Sequence, residues 1–100
     1  MQEKILCAAV HYPNDSKYDH QPENIKKGFV LCGARHNNCY GILSVFVEDE
    51  TEYFKNIPGF LTSFNRFVNR TEALKIAKKS KQLLGGRIPL GNQLSSIDLY

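Results

Sequence analysis

Apolar and polar positions divide the chain into short blocks separated by turn residues. Residues 4–12, Lys-Ile-Leu-Cys-Ala-Ala-Val-His-Tyr, form a mostly apolar run that Pro13-Asn14-Asp15-Ser16 stops, the pattern of a strand entering a turn. The stretch from Lys17 to Lys27 is polar and carries Pro22, so it reads as a loop or an irregular hairpin connection. Gly28-Phe-Val-Leu-Cys-Gly33 is strand-like again and ends at Ala34-Arg35-His36. Its nearness to the first strand predicts an antiparallel pair. Between Asn37 and Phe46 two patterns compete: Cys39, Ile42, Leu43 and Phe46 fit a helical stripe, whereas Val45, Phe46 and Val47 favour a strand. A short helix is the reading adopted. The acidic cluster Glu48-Asp-Glu-Thr-Glu52 predicts a surface segment, and Pro58-Gly59 leads as a turn into extended pieces at Phe60–Ser63 and Phe67-Val68.

The strongest signal is a helix beginning near Asn69, because Asn69 and Glu72 have the spacing of a capping box. Ala73, Leu74, Ile76, Ala77, Leu83 and Leu84 supply its apolar stripe, and Gly85-Gly86 is expected to end it. The tail from Arg87 to Tyr100 holds Pro89 and Gly91, then Leu94, Ile97, Leu99 and Tyr100, which suit a docked extension. The fold class is therefore α+β: a small N-terminal antiparallel sheet with a C-terminal helix or helices.

One hundred residues make one domain, residues 1–100, and 42% hydrophobic residues provide enough apolar material for a core. No apolar run approaches the roughly 18–20 residues of a membrane span, and Met1-Gln-Glu-Lys4 leads straight into a strand pattern. A soluble intracellular protein is expected, and its small size favours assembly into at least a dimer. Cys7, Cys32 and Cys39 cannot all pair within the chain, so reduced thiols are expected rather than a disulfide framework. The net charge of +3 is uneven: residues 66–87 carry +6 and the remainder −3. A lysine-rich helix face is usually a solvated surface, though the same charge would suit an anionic partner.

Few residues assemble into a recognisable chemistry. Cys32, His36 and Cys39 offer at most three ligands with no second pair to complete a structural zinc site, and Cys39 with His36 has no local signature of a hydrolase. No phosphate loop, dinucleotide fingerprint, paired-carboxylate motif or nucleophile elbow is present, so neither an enzyme nor a bound cofactor is expected. What remains is a set of arginines at element ends: Arg35, Arg66, Arg70 and Arg87. Guanidinium groups suit phosphates, and a helix start adds backbone N–H donors. Phe60 beside Gly59 is either a purine-stacking surface or a core ring. These residues point to a binder of a small phosphorylated ligand.

The stretch Gly59-Phe-Leu-Thr-Ser-Phe-Asn-Arg-Phe-Val-Asn-Arg-Thr-Glu-Ala-Leu-Lys-Ile-Ala77 resembles the central signature of small phage proteins that include the Thoeris anti-defence sponges. Cys7-Ala-Ala-Val-His-Tyr-Pro13, Gly33-Ala-Arg-His36 followed by Cys39, and the ending Ser96-Ile-Asp-Leu-Tyr100 extend the likeness along the chain. Ile97, Phe64-Asn65 and Asn69 depart from the family pattern. The resemblance implies a small α+β protomer that encloses cyclic ADP-ribose isomers without cleaving them and assembles at least as a dimer, with a hexamer among the higher oligomers it allows. Some members also hold cyclic di- or trinucleotides at a separate site. It assigns Arg35 and Arg87 to phosphate binding, Phe60 to adenine stacking and Asn69 to a polar contact, with His36, Arg66 and Arg70 as further ligand contacts. Its setting would be the cytoplasm of an infected bacterial host, with no membrane and no nucleic-acid polymer as partner. The competing readings are a nucleic-acid module built on the basic helix and a phosphodiesterase-like enzyme acting on the same signals.

Overall fold

The computed structural model describes residues 1–49, 55–85, 89 and 91–100. Strands β1 (Ile5–Tyr12), β2 (Phe29–Gly33), β3 (Ile57–Thr62) and β4 (Phe67–Asn69) form one antiparallel sheet in the order β2-β1-β3-β4. Helix α1 (His36–Phe46) joins β2 to β3, and α2 (Arg70–Lys79) follows β4 directly. β2 and β3 both run opposite to β1 and flank it, so α1 is the crossover between two parallel strands. The fold is thus α+β as expected, and the helical reading of residues 37–46 holds.

Alternation along β1 sorts its side chains onto two faces. Ile5, Ala8, Val10 and Tyr12 turn towards the helices. Ala73, Leu74 and Ala77 of α2 bury Ile5, Ala8, Phe60 and Val68, while Cys39 and Leu43 of α1 cover Val10 and Tyr12. Leu94 from the tail has no exposed surface and joins the first of these clusters, so the C-terminal segment is docked. On the opposite face the segment between β1 and β2 reaches both sheet edges. The Val30 N–H donates to Gln21 Oε1 at 2.8 Å on the outer side of β2. Asn24 receives the Phe67 N–H at 2.8 Å and donates to the Phe67 carbonyl at 2.6 Å, extending β4 by one amide. The Val30 N–H on the β2 edge and both main-chain groups of Phe67 on the β4 edge are thereby engaged.

The expected end of the second helix at Gly85-Gly86 is corrected. α2 stops at Lys79 in a Schellman arrangement: the Gln82 N–H donates to the Ala77 carbonyl at 2.9 Å and the Lys81 N–H to the Lys78 carbonyl at 3.2 Å. Lys81 takes the left-handed position, φ 61°, where glycine is the usual occupant, so no glycine marks the terminus. A longer-range bond favours the early stop. The β1–β3 register shifts between Ile5 and Cys7, and the Gln82 amide satisfies both main-chain groups of Ile5, at 2.7 and 2.8 Å. Leu83 therefore packs from a loop, and Leu84 is partly exposed. Of the acidic cluster, Glu48 and Asp49 are exposed and the rest lies outside the described residues.

Candidate functional site

The ends of β2 and β4 bring two helix starts together. Gly33, the last residue of β2, pairs with Ala8; Asn69, the last of β4, pairs with Gly59, which in turn pairs with Ala9. Neighbouring registers of the sheet therefore launch α1 and α2, each with a positive dipole end. Arg35, His36 and Arg70 occupy these starts. The Arg35 N–H donates to Asn38 Oδ1 at 2.9 Å, and Asn69 Oδ1 receives the Glu72 N–H at 2.8 Å, which fixes the first turn of each helix.

The tail lies across the two starts. Arg70 donates through Nε to the Leu94 carbonyl at 2.8 Å and through Nη2 to Ser95 Oγ at 2.9 Å. Arg35 donates through Nη1 to Ser96 Oγ at 3.0 Å and through Nη2 to the main-chain oxygen of Tyr100. Its guanidinium also sits over the Tyr100 ring, 4.9 Å from the centroid, and the Tyr100 hydroxyl donates to the Ala34 carbonyl at 2.6 Å. Two arginines thus converge on the adjacent hydroxyls of Ser95 and Ser96. Ser95 opens the 3-10 turn Ser96–Asp98, where its N–H donates to Asp98 Oδ2 at 2.9 Å.

His36 lies between the two starts. A carbonyl only accepts, so the Nε2–H donates to the Gly59 carbonyl at 2.7 Å, while the ring meets Phe60 edge-on at 5.1 Å. Burial lowers the His36 pKa, and the nearby Arg70 charge lowers it further, against the opposing effect of the Gly59 bond. The imidazole is neutral at pH 7. A bound anion would reverse that balance by stabilising the imidazolium.

The other expected site residues are placed differently. Phe60 has no exposed surface and belongs to the core, so it offers no free face for a base in the protomer. Asn69 uses its side-chain oxygen to cap α2. Arg66 is turned to the N-terminal segment, where Nε and Nη2 grip Glu3 at 2.9 and 2.8 Å and Thr62 donates to the same carboxylate. Those bonds, led by the Arg66 guanidinium, hold the Glu3 carboxyl below its ordinary pKa. Arg87 and the Gly86-Arg87 part of its motif lie outside the described residues.

Sequence reasoning misses Ser95, Ser96 and Tyr100 as site residues, although the apolar positions of the tail do predict its docking. A cavity of about 600 Å³ lies elsewhere, walled by Tyr12, Tyr18, Phe29 and Phe46. Glu48 and Asp49 at its rim disfavour phosphate, so the arginine site is the better match to an anion. Among the described residues no cluster of three or more His, Cys, Asp or Glu side chains could hold a metal ion, and no helix is long and apolar enough to cross a membrane.

Fold and site together define a small α+β protein with a cationic cluster at two apposed helix starts. Residues 4–100 match the family model described as phage T4 y16D protein, and the chain belongs to that family of phage proteins. No curated protein and no solved structure matches it.

Proposed function

We propose that this protein is a phage anti-defence sponge that binds cyclic ADP-ribose-type immune signals and holds them intact, inhibiting Thoeris-type immunity by lowering the free signal. The observation that carries this reading is the meeting of Arg35, His36 and Arg70 at two helix starts. Such a cluster places two planar guanidinium groups at two positive helix ends, the chemistry that suits a pyrophosphate, which would take the place of the tail acceptors at Leu94, Ser95, Ser96 and Tyr100. Tyr100, 44% exposed and stacked on Arg35, is the aromatic surface beside it. A second set of ligands, cyclic di- or trinucleotides, presents the same phosphates and belongs in the same screen.

Sequestration requires affinity and burial, whereas hydrolysis requires a positioned nucleophile or base. The His36 Nε2–H is spoken for by the Gly59 carbonyl, and a bound anion would draw a proton onto Nδ1, which makes the ring a binding contact. Assembly into at least a dimer fits this role, since Val45 and Phe46 leave a strongly exposed apolar edge on α1. Calorimetric titration with cyclic ADP-ribose isomers, followed by chromatography of ligand released by heat, tests the proposal. Saturable binding and recovery of unchanged ligand support it. Turnover to a linear product points to the enzyme reading. Salt-sensitive binding of polymers that Lys78→Ala and Lys79→Ala abolish points to the nucleic-acid reading.

A further inference from the structure

The cysteines provide a second chemistry on the sheet face turned away from the helices. Cys7 lies on the same face of β1 as Ala9, and Ala9 pairs with Cys32 of β2. Cys7 and Cys32 are therefore diagonal cross-strand neighbours, the arrangement in which side chains two positions out of register still reach one another. Neither is shut away: Cys32 is exposed and Cys7 half-buried, whereas Cys39 is fully buried on the helix side. We propose that Cys7 and Cys32 form a vicinal dithiol that low-molecular-weight disulfides convert into a cross-strand disulfide. Cys7 is the attacking sulfur and Cys32 the resolving one.

The local chemistry divides these roles. The Cys32 thiol donates a hydrogen bond to Cys7, and the Gly33 N–H adds a second, lowering the Cys7 thiol from its ordinary value to about 7 against the cost of burial. The same contact, together with burial, raises the Cys32 thiol. About half of Cys7 is accordingly thiolate at pH 7, and Cys32 stays protonated. The Cys7 thiolate attacks one sulfur of a disulfide RSSR, forming Cys7–S–S–R and releasing the thiolate RS⁻. The negative charge on Cys7 is then gone, and with it the interaction that held the proton on Cys32. Cys32 loses that proton to solvent and attacks the Cys7 sulfur, releasing the second RS⁻. The protein dithiol is oxidised by two electrons, and RSSR is reduced to two thiols. The two side chains already meet, and closing the bridge draws the backbones in from the roughly 7–8 Å of a diagonal pair to the less than about 7 Å of a disulfide, a local shift of the β1–β2 ladder.

Oxidised glutathione with the full-length chain tests this, read by intact mass and non-reducing peptide mapping. The wild type should lose two hydrogens with no lasting adduct and show a peptide linking Cys7 to Cys32. Cys32→Ala should instead accumulate one glutathione on Cys7, and Cys7→Ala should react at least tenfold more slowly. Cys39→Ala should match the wild type. The alkylation rate of Cys7 should rise through a midpoint near pH 7, and that midpoint should move upward in Cys32→Ala. Persistent adducts on wild-type Cys7 or Cys32, a linkage involving Cys39, or wild-type cysteines that react no faster than those of the unfolded chain would each overturn the proposal. The wild-type mass measurement needs no substitution, so it decides the matter even if a variant folds poorly.

Discussion

Phe60→Ala separates a core ring from a ligand-stacking ring. The side chain has no exposed surface and packs among Ile5, Ala8, Val68, Leu74 and Leu94, with an edge-on contact to His36. Truncating a buried phenylalanine costs about 3–5 kcal/mol, within which the ring–ring contact with His36 accounts for about 0.5–1.5 kcal/mol. In a domain of this size each kcal/mol moves the melting temperature by roughly 4–8 °C, so a loss of about 3 kcal/mol lowers it by roughly 12–24 °C. Thermal unfolding of the ligand-free chain, followed by circular dichroism, reads that shift directly. Phe60→Leu removes less apolar surface and should cost roughly 1–2 kcal/mol, leaving a folded protein for binding measurements. Its affinity for a cyclic nucleotide should stay within a few fold of the wild type. A Phe60→Ala shift below about 5 °C, the result expected of a ring stacked at the surface, would refute the placement of Phe60 in the core.

Three further outcomes follow from particular bonds. Asn69→Ala should lose about 1 kcal/mol in urea unfolding because the Glu72 N–H loses its acceptor, while Asn69→Asp should hold or raise stability by keeping the cap and adding charge at the positive helix end. Gln82→Ala should cost about 1–3 kcal/mol by stranding both main-chain groups of Ile5 at the β1 bulge, visible as a lower urea midpoint. His36 titrates below its ordinary 6.5 in the folded chain, so the unfolded chain takes up its proton first as pH falls. Its contribution to stability is therefore present above pH 6.5 and lost as pH drops towards the folded value; urea unfolding between about pH 7 and pH 5 should show a slope that His36→Gln reduces.

Strands β1 and β2 and both helix starts are legible in the sequence because they rest on local chemistry, whereas Pro58-Gly59 reads as a turn and lies inside β3, paired with β1. The apolar run of β1, the stop at Pro13-Asn14 and the Asn69 cap each lie within a few residues. The end of α2 is not, since it depends on Gln82 finding Ile5 across 77 positions of chain and on a lysine taking the left-handed turn. Site residues divide the same way. Arg35, His36 and Arg70 stand at element ends that sequence periodicity exposes, and the sheet register brings them together. Arg66 looks equivalent in sequence, yet Glu3, 63 residues away, engages it. Ser95 and Ser96 carry a local turn signal with Asp98 but none for the site, because they meet the arginines only where the docked tail lays them. Phe60 is open between two roles in the sequence, and only the packing of α2 and Leu94 decides for the core.

The most direct measurement is isothermal titration of cyclic ADP-ribose into the wild type, Arg35→Ala and Arg70→Ala, with Arg66→Ala and Lys78→Ala as charge-matched controls. Each site arginine gives up charge-assisted bonds worth roughly 1.5–3 kcal/mol, so its removal should weaken binding about ten- to hundredfold. Arg66 is occupied by Glu3 and Lys78 faces outward on α2, so both controls should bind within a few fold of the wild type. Saturable wild-type binding that collapses only in the Arg35 and Arg70 variants, with their folds intact, is the result expected. Absence of wild-type binding across the cyclic ADP-ribose isomers, or equal weakening by all four substitutions, would contradict an anion site at the two helix starts.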